Sequence, residues 1–154
     1  MSKSELEIKT TIQIQKPVDE VFEAIVNPEK MCNYFISYSS GRMEENKDIF
    51  WKFPEFDDQF PIRVVKIEKN NYVSFKWDND DKELLVEIQL KGISDDSTLV
   101  TVSEKGMQND ESGIKWLKSN TEGWANFLAC LKAYLEYRIN LRKGAFDFMK
   151  KPDL

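Results

Sequence analysis

Histidine is absent from this 154-residue chain. That excludes Ser–His–Asp and Cys–His catalysis, histidine-ligated metals and histidine pH switching together. The only two cysteines, Cys32 and Cys130, stand far apart and form no CxxC or zinc pattern, so they read as free, reduced thiols with nothing to activate them. No 18-residue apolar run occurs, and Met1 to Pro17 lacks the apolar core of a secretory signal, so no membrane span and a cytoplasmic address are expected. With six glycines and five prolines there is no phosphate-cradling loop, GxSxG elbow or P-loop. Basic residues are outnumbered 22 to 27, giving a net charge of −5. That sign is wrong for a nucleic-acid partner, which needs a cationic stripe against phosphates. The basic cluster Arg138, Arg142, Lys143, Lys150 and Lys151 reads as a solvated helix end. No repeat, linker or low-complexity stretch divides the chain, and one domain over 1–154 is expected.

Aromatics are plentiful: ten Phe, five Tyr and four Trp. A chain of this size buries roughly 68–70% of its unfolded surface and needs no metal or disulfide to hold a core. Leu6, Ile8, Thr10, Ile12 and Ile14 alternate with polar residues, the period of a half-buried strand. Pro17 opens a helix whose Val18, Val21, Phe22 and Ile25 share a face, until Asn27–Pro28 breaks it. A shorter helical segment follows, Glu29 to Tyr34. Six short strands come next, at Ser37–Glu44, Asp48–Phe53, Pro61–Glu68, Tyr72–Asp78, Leu84–Lys91 and Thr98–Glu104, joined by turns such as Asn70–Asn71. Connections this short force antiparallel pairing. The last third switches to helical period: Ile114, Leu117, Thr121, Trp124, Leu128, Leu131 and Leu135 predict one helix from Glu111 to Arg142, about 45–50 Å long, capped by Asp110 with Ser112 and stopped at Gly144. The fold class is therefore α+β, a curved antiparallel sheet of about seven strands wrapped around a long C-terminal helix, with two short helices after the first strand.

In this order of elements the chain resembles the START-like helix-grip superfamily, also called SRPBCC or Bet v 1-like. Within it, the chain is most similar to the activator of heat-shock protein 90 ATPase homologue family. The resemblance is carried by Pro17-Val-Asp-Glu-Val-Phe22, Asn27-Pro28-Glu29, Ser74-Phe-Lys-Trp77, Thr98-Leu-Val-Thr-Val102 and Lys105-Gly-Met107. Most telling is Gly123-Trp-Ala-Asn-Phe-Leu-Ala-Cys-Leu-Lys-Ala-Tyr-Leu-Glu136, similar to that family's Gly-Trp-x-x-x-Leu-x-x-Leu helix signature. The chain departs from the pattern in having Tyr34 where Trp is frequent, a single Gly41 in place of a double glycine, and no histidine before Lys105. The resemblance implies the fold; it implies the ATPase-stimulating activity of the family name much less, because activity lives in sites and not in folds.

A sheet wrapped around a helix encloses a mostly apolar space, the usual setting of a ligand site. The candidates to line it are Trp51, Phe53, Phe75, Trp77, Val86 and Ile88 from the sheet and Trp124, Phe127, Leu128 and Leu131 from the helix. Strand parity groups Val73 with Phe75 and Trp77, and Leu84 with Val86, Ile88 and Leu90. The same spacing serves a filled core or an open cavity. Gly123, costing roughly 1 kcal/mol against alanine in a helix interior, marks the close approach of a neighbouring segment or of a ligand. The adjacent pairs Glu44–Glu45, Asp57–Asp58, Asp80–Asp81 and Asp95–Asp96 read as solvated turns and match no EF-hand, while Arg63 and Glu87 face outward. The segment Phe50–Phe60 forms a mouth, a partner patch or a tucked strand end. Phe146 and Phe148 fold back or make a homodimer contact.

The expected function is non-enzymatic binding of a small hydrophobic or amphipathic, lipid-like molecule between sheet and helix, with no cofactor or metal, as monomer or homodimer. One alternative is a protein-interaction module with a chaperone or other protein partner. A weaker one is a polyketide-cyclase-like enzyme, its acid or base drawn from carboxylate, Tyr or Lys.

Overall fold

A computed structural model of the chain describes residues 4–150; Lys151 of the basic cluster lies outside them. The alternating first segment forms strand β1 (Glu5–Ile14), with Ile8 and Ile14 inward. Helix α1 (Val18–Val26) starts behind Pro17 with Asp19 and Glu20 in its first turn, where they face the positive end of the helix dipole. It ends at extended Asn27, whose Oδ1 accepts from Glu29 N–H at 2.9 Å and starts the one-turn α2 (Pro28–Met31).

Six strands follow: β2 (Tyr38–Ser39), β3 (Asp48–Lys52), β4 (Gln59–Glu68), β5 (Tyr72–Asn79), β6 (Lys82–Ser94) and β7 (Ser97–Gln108). They join β1 in one sheet of order β1-β7-β6-β5-β4-β3-β2, every neighbouring pair antiparallel. Asn70 and Asp80 take positive φ in the hairpin turns on either side of β5. β2 is far shorter than the strand expected over Ser37–Glu44. The chain turns away after Ser40 because Arg42 reaches α1, forking onto both oxygens of Glu23 at 2.7 and 2.9 Å. This pairing holds the Glu23 carboxyl below its ordinary value.

The glycine of Lys105-Gly-Met107 has a structural reason. Gly106 has φ +125°, a side chain there would meet the Glu83 carbonyl at 2.8 Å, and the β1–β7 register shifts beside it. It is a bulge residue that only glycine suits.

The long helix α3 (Glu111–Tyr137) starts with Gly113 N–H on Asp110 Oδ1 at 2.7 Å. It ends five residues before the expected Arg142, because Arg138 turns left-handed (φ 56°). Leu135 is the last residue of its apolar stripe to be buried, and Ile139 is exposed, so burial no longer sustains another turn. Trp124, Phe127, Leu128, Leu131 and Leu135 join Trp51, Phe75, Val86, Ile88, Val100 and Val102 from the sheet in one core. This is the α+β helix-grip architecture expected from the sequence. Cys32 is exposed and Cys130 buried, both free.

Candidate functional site

Strand parity delivers the expected inner face: Val73, Phe75, Leu84, Val86, Ile88 and Leu90 are buried, with Val73 opposite Ile88, Phe75 opposite Val86 and Trp77 opposite Leu84. Between this face and α3 the side chains interlock. Phe35 meets Phe127 edge-on at 4.6 Å and Trp51 at 5.4 Å, and Trp51 meets Phe75 at 5.2 Å. Of the ten candidate lining residues, Trp51, Phe75, Val86, Ile88, Phe127, Leu128 and Leu131 are core, none more than 3% exposed.

The half-buried Phe53 and Trp77, with the edge of the core residue Trp124, lie together at a pocket of about 330 Å³ over the middle of α3. Gly123 is in its floor. A side chain added there would meet no atom within 4 Å, so no neighbouring segment approaches it; the residue is exposed, and the space in front of it runs from the pocket out to solvent. The Phe50–Phe60 segment contributes Phe53, Glu55 and Phe56 to the mouth. The chain beyond α3 folds back as a strap, bringing Phe146 and Phe148 to the opposite rim with ring centroids 6.4 Å apart.

Two polar assemblies shape this pocket, and neither was among the candidates read from the sequence. Glu104, on the inner face of β7, is fully buried. Its Oε2 accepts the indole N–H of Trp77 at 2.7 Å; its Oε1 accepts the indole N–H of Trp124 at 2.8 Å and Asn120 Nδ2 at 3.1 Å. A carboxylate inside a core is tolerable only with such pairing. Here it locks two ring orientations, with the Trp77 and Trp124 centroids 5.6 Å apart. The signal was in the parity: Thr98, Val100 and Val102 point inward, and two residues further comes Glu104.

The second assembly joins Arg142 to Glu55, Nη2 to Oε1 at 2.5 Å, with side-chain exposures of 15% and 3%. The guanidinium also lies 5.5 Å from the Phe53 ring centroid and 4.9 Å from that of Phe146, a cation held between π-faces. Arg142 is thus no part of a solvated helix end, since α3 stops before it and the strap carries it inward.

The four adjacent carboxylate pairs are exposed, as expected of turns. Arg63 pairs with Asp78 and Glu83 on the outer face, and Glu87 with Lys105. Among the described residues no three His, Cys, Asp or Glu gather as a metal-holding group, and no helix is long and apolar enough to cross a membrane. Burial pushes the Cys130 thiol up, away from the thiolate that nucleophilic chemistry needs.

Comparison with known proteins agrees with this architecture. The model of the family described as activator of Hsp90 ATPase homolog 1-like protein matches residues 15–136. A crystal structure of a Staphylococcus saprophyticus protein is similar over 89% of this chain and 96% of its own, with 34% identity and a TM-score of 0.78. A protein from the dynemicin biosynthetic locus, DynU16, is 25% identical with a TM-score of 0.76, over 86% of this chain and 48% of its own. The solution structure of the Aha1 dimer from Colwellia psychrerythraea shares the fold at 18% identity and a TM-score of 0.71, covering 86% of this chain and 97% of its own. No match to the chain was found among curated proteins.

Proposed function

The chain belongs to the family of activator of Hsp90 ATPase homolog 1-like proteins, and from that premise we propose that it is a non-enzymatic binding module for a small apolar or amphipathic molecule. The site is the pocket over the middle of α3. The space expected deeper between sheet and helix is filled by side chains, so the ligand is placed at its outer end, where Phe53, Trp77 and Trp124 border the opening.

One observation carries this reading: a pocket of about 330 Å³ lies over the middle of α3, within the usual size range of small-molecule sites, and no neighbouring atom fills the space beside Gly123. The aromatic walls supply apolar contact, and Asn120, Glu55 and Arg142 supply orienting polar groups. A helix glycine that nothing crowds costs stability without a packing return, and a ligand lying against the helix backbone is the use that its absent side chain allows.

The test is titration with the neutral dye Nile red. The wild-type chain is expected to enhance dye emission saturably, and Gly123→Trp, whose indole would occupy the space, to lose the enhancement while keeping its far-ultraviolet circular dichroism. Equal uptake by a folded Gly123→Trp variant contradicts the placement. It would favour instead the reading in which the exposed rings of Phe56 and Phe148 meet a protein partner.

A further inference from the structure

The pocket has an electrostatic character that its apolar walls conceal. Resting on the pocket assigned above, we propose that its ligand carries a fixed positive charge: the site takes an aromatic or compact organic cation, a quaternary ammonium or protonated amine, in preference to a neutral or anionic molecule of the same shape.

Three observations converge. First, tryptophan presents the best π-face for a cation, and two of the four tryptophans, Trp77 and Trp124, meet at the pocket floor with rings inclined by 35°. Second, both indole N–H groups donate to the same buried carboxylate, that of Glu104. A hydrogen bond to an anion pushes electron density back into the donor's ring, so both faces become more negative and the carboxylate adds its own field from behind. Third, the ionisable lining is acidic: Glu55 and Glu122 against the single Arg142.

Arg142 does not reverse that balance. Its Nη2 is committed to Glu55, and its Nε is buried without a partner where no solvent reaches it. The wall already shows the preference, since this guanidinium is held by Phe53, Phe146 and a carboxylate. An anion would face the negative sides of the rings and two carboxylates, against one guanidinium whose Nη2 already donates to Glu55.

The experiment is calorimetric titration of the full chain with three ligands of one shape: benzyltrimethylammonium, its neutral carbon isostere neopentylbenzene, and the anion phenylmethanesulfonate. The cation is expected to bind about tenfold tighter than the isostere, the advantage shrinking as salt rises, and Glu122→Gln, an exposed change that leaves the core alone, to reduce it about two- to threefold. Glu104→Gln is expected to reduce it further, provided its circular dichroism is native. If the isostere or the sulfonate binds as tightly as the cation while Nile red still enters the pocket, the charge preference is wrong and the binding module stands. If neither Nile red nor any of the three binds, both fall.

Discussion

Tyr34 carries a phenol into the core, where its hydroxyl donates to the Ala24 carbonyl at 2.8 Å and its ring stacks on Tyr134 at 5.6 Å. Burial, with the Tyr134 phenol adding to it, raises the ionisation of Tyr34 well above its ordinary value of 10.0. A folded-state value above the unfolded one means the contribution is intact below pH 10 and is lost as pH climbs from there toward the folded value. Tyr34→Phe should cost about 1 kcal/mol near pH 7 through the orphaned carbonyl and flatten the alkaline decline. Urea midpoints at pH 7 and above pH 10 check this; parallel losses in both chains would contradict it. At this scale the sequence was legible where side-chain parity applies, and Glu104 was in reach of the same rule. Glu55 and Arg142 were not, because neither lies on a periodic element and their pairing, 87 positions apart in sequence, depends on where two loops end.

Periodicity located every large element but could not say where α3 stops. Helical spacing continues through Leu135 and Ile139, while the sheet that buries this face does not, and only the tertiary edge decides the end. The five residues released by the early stop open the strap that closes one side of the pocket. Its internal bonds are local turns, such as Ala145 N–H to Arg142 O at 2.9 Å and Met149 N–H to Phe146 O at 2.9 Å, so its docking against the rest of the domain rests on the Arg142–Glu55 pair and the rings against it. Arg142→Ala is therefore expected to speed amide hydrogen exchange over 143–149 by about tenfold, with amides around Leu128 unchanged. Unchanged exchange in the strap would show that Phe146 and Phe148 hold it alone.

At the scale of the molecule, the sheet and α3 form a filled core with the pocket at its outer end, and this division is open to test. Leu131 is fully buried on the inner face of α3. Leu131→Trp should lower stability by roughly 1–3 kcal/mol through overpacking while the folded fraction still takes up Nile red; loss of uptake in a stable variant would instead move the site into the interior. The fold was readable because periods of 2 and 3.6 leave one layered solution for this order of elements. The position of the open space was not, because the same apolar residues pave a core or a cavity and only the three-dimensional fit of Phe35, Trp51, Phe75 and Phe127 decides which.

The four tryptophans make that distinction directly observable. Trp77 and Trp124 border the pocket, Trp51 is sealed in the core, and Trp116 is buried earlier on α3. The decisive measurement is the indole N–H region of a two-dimensional NMR spectrum during titration with benzyltrimethylammonium and then Nile red. The Trp77 and Trp124 signals are expected to move together and saturably while those of Trp51 and Trp116 hold still. Movement of Trp51, or no movement at Trp77 and Trp124 with either probe, would contradict a binding site over the middle of α3.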